Sequence, residues 1–114
     1  MRVVQEQPPF RYELNNVFRL PEGAIFTFSD IIYNPSGRDI DLPLMRHEEL
    51  HSVRQGKDPK GWWKRYLADP AFRLFEETLA YREQYKEMKK YIKDRNRLSK
   101  YAMSLAKDLS GEAY

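Results

Sequence analysis

From Ala71 to Ser110 the chain contains neither proline nor glycine, whereas all seven of its prolines fall at or before Pro70. Proline removes a backbone donor and clashes with the preceding helical turn, and glycine gives a helix excess freedom to lose. The C-terminal part is therefore free to be helical over its whole length, while the part before it must be cut into short elements. Leu74, Tyr81, Tyr85, Met88 and Ile92 recur at spacings of three, four and seven, which draws one stripe along a long helix. Phe75 and Leu79 widen that stripe. Asp94, Asn96 or Ser99 can break it and cap a last helix over Leu98 to Leu109.

The N-terminal third reads as extended. Arg2 to Phe10 ends at Pro8-Pro9, and Asn15-Asn16 and Pro21-Glu22-Gly23 are turn signals. Ala24 to Tyr33 is rich in β-branched and aromatic residues, and Ile25 to Phe28 predict a strand. Asn34-Pro35-Ser36-Gly37 is a turn, after which Arg38 to Leu42 alternates polar and apolar. These features predict a β-hairpin over about residues 24–42. Pro43 suits the first turn of a helix running to Gln55 and stopping at Gly56. Leu44, His47, Glu48, His51 and Gln55 share one face, and Leu50 and Val53 occupy a neighbouring face suited to packing on the sheet. Asp58-Pro59 opens a short helix with Trp62, Trp63, Tyr66 and Leu67 that ends near Asp69-Pro70. With 114 residues the chain has room for one core. The expected fold is a single α+β domain: β-rich over 1–42, a central and a short helix over 43–69, and C-terminal helices over 70–110.

The chain has no cysteine and only two histidines. Disulfides are excluded, and so is any zinc site that needs Cys. No stretch approaches the length of a membrane span, and the N-terminus lacks the apolar region of a signal peptide, so a cytoplasmic protein without membrane contact is expected. The net charge of +3 is unevenly spread, at −1 over residues 1–46, zero over 47–81 and +4 over 82–114. That distribution bears on partners rather than on fold.

Both histidines lie in His47-Glu48-Glu49-Leu50-His51, an H-E-x-x-H pattern. On a helix the two imidazoles project one turn apart on one face and can grip a single zinc ion, with Glu48 beside the first of them as a general base. Catalytic zinc takes three protein ligands and keeps one position open. With no further His or Cys, the third ligand must be a carboxylate. Glu77 lies one turn from both Leu74 and Tyr81 on the predicted stripe, and a core-facing carboxylate is costly unless paired or metal-bound. Glu76, on a face with Phe72 and Ala80, is the rival.

The run His47 to Gln55, followed by Glu77-Thr78-Leu79-Ala80-Tyr81, resembles the gluzincin class of zinc metallopeptidases, especially its minimal single-domain members. These pair H-E-x-x-H on one helix with a Glu in an E-x-x-A context on a later helix. The resemblance covers roughly residues 24–85. It implies a zincin-like fold with a small sheet before the H-E-x-x-H helix, Zn2+ held by His47, His51 and Glu77, Glu48 as general base, and a peptide or protein substrate. The implied reaction is metal-assisted hydrolysis, with zinc lowering the pKa of water toward about 7. Glu48 would take the water's proton and pass it to the leaving amine. Tyr66, Tyr81 and Arg73 are candidates to stabilise the oxyanion. Position 81 is Tyr where several families place Asp. The hairpin edge offers an extended peptide a place to add as a strand.

Two further features compete for a role. Trp62-Trp63 can line a pocket, although one ring in the core and one partly exposed is the commoner arrangement. Lys86, Lys89, Lys90, Lys93, Arg95, Arg97 and Lys100, interleaved with Tyr85, Tyr91 and Tyr101, form a basic stretch over residues 86–100. Such a stretch can contact nucleic acid through phosphates and stacked bases. A solvated helix face is the plainer explanation, and Glu83, Glu87 and Asp94 dilute the field. The alternative to an enzyme is accordingly a non-enzymatic interaction or nucleic-acid-binding protein with zinc structural or absent.

Overall fold

A computed structural model describes residues 1–18 and 23–110. The chain is α+β, with three short strands and five helices among the described residues. In order these are β1 (Arg2–Val4), α1 (Arg11–Val17), β2 (Phe26–Phe28), β3 (Ile31–Tyr33), α2 (Leu42–Gln55), α3 (Pro59–Ala68), α4 (Pro70–Met88) and α5 (Arg95–Leu109). The sheet order is β1-β3-β2. β1 runs parallel to β3, with Arg2 opposite Ile31, and β2 runs antiparallel to β3, with Phe26 opposite Tyr33.

Two expectations for the N-terminal third change. The second strand of the hairpin is Ile31–Tyr33, not Arg38–Leu42, so the chain reverses at Ser29-Asp30 and the Asn34–Gly37 turn follows the hairpin instead of closing it. Residues 38–41 are not a strand because Asp41 caps α2, its carboxylate accepting from the Leu44 N–H at 2.9 Å. The extended reading also fails over Arg11–Val17, which is helical. β1 stops at Val4, well before Pro8-Pro9, and the Pro8 carbonyl accepts from Arg11 N–H and turns the chain into α1. Asn15 and Asn16 lie inside this helix, whose inward residue is the fully buried Leu14. In the Pro21-Glu22-Gly23 turn, Pro21 and Glu22 fall outside the described residues.

The later boundaries share one device. Asp58 precedes Pro59 and caps α3 through Gly61 N–H, and Asp69 precedes Pro70 and caps α4 through Ala71 and Phe72 N–H. An acidic side chain takes up the orphan donors of the first turn, and proline forfeits nothing there. Gly56, at φ 56, ends α2 in a backbone conformation that side-chain-bearing residues avoid. Asp94 caps α5, which therefore starts at Arg95 rather than Leu98.

The core is aromatic and sits to one side. Leu14, Trp62, Trp63 and Tyr66 are its centre, with Phe10, Phe18, Phe26, Phe28, Leu67 and Phe72 packed around them. Trp62 stacks on Tyr66 at 5.0 Å, and Phe10 lies 4.1 Å from Trp63, between ring centroids. Both tryptophans are buried, so neither is the partly exposed member of a split pair. Trp62 Nε1 donates to Glu76 and Trp63 Nε1 to the Thr27 carbonyl, which lets both rings stay dry.

The predicted apolar stripe of α4 is rotated from the face that is buried. Leu74 and Phe75 are 42% and 56% exposed, while Arg73, Glu76, Glu77, Ala80 and Glu87 face inward. The helix ends at Met88, so Ile92 lies beyond it. On α2 the inward residues are Pro43, His47, Glu48, His51 and Gln55, and Val53 is exposed instead of packing on the sheet. The seam where α2 and α4 lie together is thus built largely of ionisable side chains. No helix among the described residues is long and apolar enough to cross a membrane.

Candidate metal centre

Helical spacing puts the His47 and His51 rings 4.8 Å apart on the inward side of α2. α4 brings Glu77 against both. His47 Nε2 lies 3.0 Å from Glu77 Oε1, His51 Nε2 lies 2.9 Å from the same oxygen, and the two nitrogens are 3.2 Å apart. Three donor atoms thus form a nearly equilateral triangle, made of two neutral-capable imidazoles and one carboxylate. Tetrahedral zinc with bonds of about 2.0–2.1 Å separates its donors by about 3.3 Å. The triangle needs to open by only a few tenths of an ångström to hold such an ion, so His47, His51 and Glu77 can form a metal site.

Glu77 is anchored from behind, since Tyr66 OH donates to Oε2 at 2.8 Å and leaves Oε1 for the imidazoles. Burial alone would raise this carboxyl, but His51 and His47 outweigh it and hold Glu77 far below the usual carboxylate range. Burial likewise opposes the charged form of His51, yet Glu77, Glu48 and Glu76 together pull its pKa up to about 9. His47 Nδ1 meets the side-chain oxygen of Gln84 at 2.9 Å, and Gln84 Nε2 donates to the hydroxyl of Tyr101 on α5 at 2.8 Å.

Glu48 stands beside the triangle, with Oε2 3.7 Å from His47 Nε2, and its Oε1 accepts from Thr27 Oγ1 at 3.1 Å. Burial raises its pKa, against the pull of the two histidines and the Thr27 hydrogen bond. The cluster opens on a cleft of about 340 Å³ whose walls include Trp62, Trp63, Tyr81 and Leu44, with Arg38 and Asp108 also lining it.

Glu76 is separated from this group. It is 1% exposed and accepts from Arg54 through Nε and Nη2 and from Trp62 Nε1 at 2.7 Å. Both consecutive carboxylates are buried, and partners rather than the predicted stripe distinguish them. Of the three oxyanion candidates, Tyr66 is engaged with Glu77, and Tyr81 lines the cleft with its ring edge-on to His47 at 4.6 Å. Arg73 instead donates to the Tyr66 and Leu67 carbonyls and lies over Phe18, away from the cleft.

Several residues at the site carried no assigned role in the sequence. Gln55 follows His51 by one turn and pins the hairpin, accepting from Ser29 N–H at 2.7 Å and donating to the Thr27 carbonyl at 2.8 Å. Gln84 follows Glu77 by two turns and so shares its side of α4. Helical phase could have singled out both glutamines, but nothing local marks Thr27 or Tyr101. The Thr27 carbonyl points to the side of β2 away from β3 and is taken by Gln55 and Trp63, so any strand-like partner could use that edge only before Thr27.

The basic stretch is not one continuous helix. α4 ends at Met88 and α5 begins at Arg95. Lys86 pairs with Glu83, Lys90 pairs with Glu87, and Lys89 lies over Tyr85. Tyr101 turns inward to Gln84, while Tyr91 is exposed. The chain matches no family model, no curated protein and no solved structure.

Proposed function

We propose that the protein is a zinc-dependent hydrolase acting on peptide bonds, with a gluzincin-like site. The observation that carries this reading is the triangle of His47 Nε2, His51 Nε2 and Glu77 Oε1 with the Glu48 carboxylate beside it, open to a cleft. Zinc, when bound, supplies Lewis acidity that makes water a nucleophile near neutral pH and polarises a carbonyl. Glu48 accepts the proton of the attacking water. Its raised pKa suits it to return that proton to the leaving amine. Thr27 holds one Glu48 oxygen, leaving Oε2 turned to the reaction side. Tyr66 fixes which Glu77 oxygen meets the histidines. Trp62, Trp63 and Tyr81 wall the cleft and limit water, and an extended substrate enters past the residues before Thr27.

Zinc analysis of the purified chain is the test. One zinc per chain is expected, none for His51→Ala, and full zinc with peptide hydrolysis lowered about 10²–10⁴-fold for Glu48→Gln. Wild-type protein that retains no zinc after metal loading would sink the proposal.

A second reading, of an interaction protein without catalysis, draws on exposed Tyr91 between Lys90 and Lys93 in the turn joining α4 to α5. It requires nucleic-acid binding that weakens steeply with salt and is unchanged in Glu48→Gln.

A further inference from the structure

We infer that Gln84 and Tyr101 form a positioning relay that holds His47 in the tautomer whose bare Nε2 faces Glu77 and His51, so that α5 is part of the site. The inference rests on the metal-centre reading given above. Gln84 turns its amide nitrogen away from His47, where Nε2 donates to Tyr101 OH at 2.8 Å. That leaves its side-chain oxygen facing His47 Nδ1 at 2.9 Å. An amide oxygen only accepts, so the ring proton must sit on Nδ1, and a neutral imidazole has just one N–H to place. Nε2 is then a lone pair.

This lone pair points at an acceptor. Glu77 Oε1 is 3.0 Å away, and His51 Nε2 is 3.2 Å away. Two buried acceptors at that distance repel unless a proton or a metal ion lies between them. The relay therefore makes the triangle a place suited to positive charge, and it presents His47 with the nitrogen a metal ion would use. The partner is also chemically apt. Glu48, Glu76 and Glu77 already bring three buried carboxylates into this seam. A fourth in the place of Gln84 would add an unscreened negative charge, whereas an amide orients the ring without one.

The chain's two histidines make the test direct, because long-range ¹H–¹⁵N spectra of metal-free protein report each ring's tautomer separately. At pH 8 wild-type His47 is expected to carry its proton on Nδ1. Gln84→Leu should move it to Nε2 and weaken zinc binding roughly 10–100-fold. Gln84→Glu, which also accepts from Nδ1–H, should restore the tautomer. Tyr101→Phe removes only the hydroxyl and should give a smaller change in the same direction. It carries the comparison alone if Gln84→Leu does not fold by circular dichroism. An Nε2–H tautomer in wild-type protein, or a folded Gln84→Leu with wild-type tautomer and zinc affinity, overturns the relay. The Nδ1–H tautomer in a wild-type protein that binds no zinc overturns the metal-centre reading and the relay's part in ligation, so the two fail by different measurements.

Discussion

Glu76 and Glu77 are consecutive, buried and identical in chemistry, and their partners divide them. Glu77 completes a triangle with two imidazoles, while Glu76 ties Arg54 of α2 and Trp62 of α3 to α4. Neutralising each should therefore have different effects. Glu76→Gln weakens charge-assisted bonds to a half-exposed arginine and should lower stability by about 1–3 kcal/mol in urea unfolding while zinc stoichiometry stays intact. Glu77→Gln should instead abolish tight zinc binding, measured by competition with a chelator. The metal-free protein should also depend on pH in a defined way. The folded state raises His51 to about 9, so that group's contribution is whole below its unfolded pKa near 6.5 and fades as pH rises through about 9. Glu77 is lowered, so its contribution is present above its unfolded pKa of about 4.5 and fades as pH falls below it. Metal-free protein should accordingly be most stable between about pH 4.5 and 6.5 and lose stability toward pH 9, as read by the urea midpoint.

At the scale of elements, α2 and the hairpin are joined by Gln55, which bonds the backbone at Ser29 and at Thr27. Gln55→Leu keeps the volume and removes both bonds. Because Ser29 N–H loses its partner at a turn with φ 57, a loss of about 1–3 kcal/mol is expected in chemical denaturation. The boundaries of α2 and α3 and the start of α4 were legible in the sequence because their causes are local: Asp before Pro at α3 and α4, Pro43 near the start of α2, Gly56 at its end. α1 and β3 were not, because each depends on what the chain meets elsewhere. Leu14 earns its helix by entering an aromatic cluster from α3, and Ile31–Tyr33 becomes the middle strand only because β1 pairs on its other side. The stripe through Leu74 and Phe75 failed for a different reason. Counting apolar residues cannot detect a buried face chosen for its carboxylates. The His pair was readable from its spacing, and the lack of other ligand types pointed to a carboxylate, but Glu77 was preferred to Glu76 on a stripe the fold does not keep, and the contact from Gln84 to Tyr101 joins two helices and has no local signature.

Across the whole molecule, apolar and polar burial are separated. The aromatic cluster lies among α1, α3 and the sheet, and the α2–α4 seam buries His47, Glu48, His51, Glu76 and Glu77. Desolvation of that seam opposes folding, and an ion held only by the folded chain adds its binding free energy, so zinc should stabilise the fold. At a free zinc concentration 100 times its dissociation constant the gain is about 2.7 kcal/mol, which for a domain of this size should raise the melting temperature by roughly 10 °C or more in calorimetry and be reversed by a chelator. The polar seam has a consequence for the life of the chain in a cell. On the proposed zinc reading, a newly made copy that has not met the ion is the copy that opens most often, and open chains are what proteases remove. Such a protein would report local zinc supply through its own abundance, with the unloaded form cleared before it can accumulate.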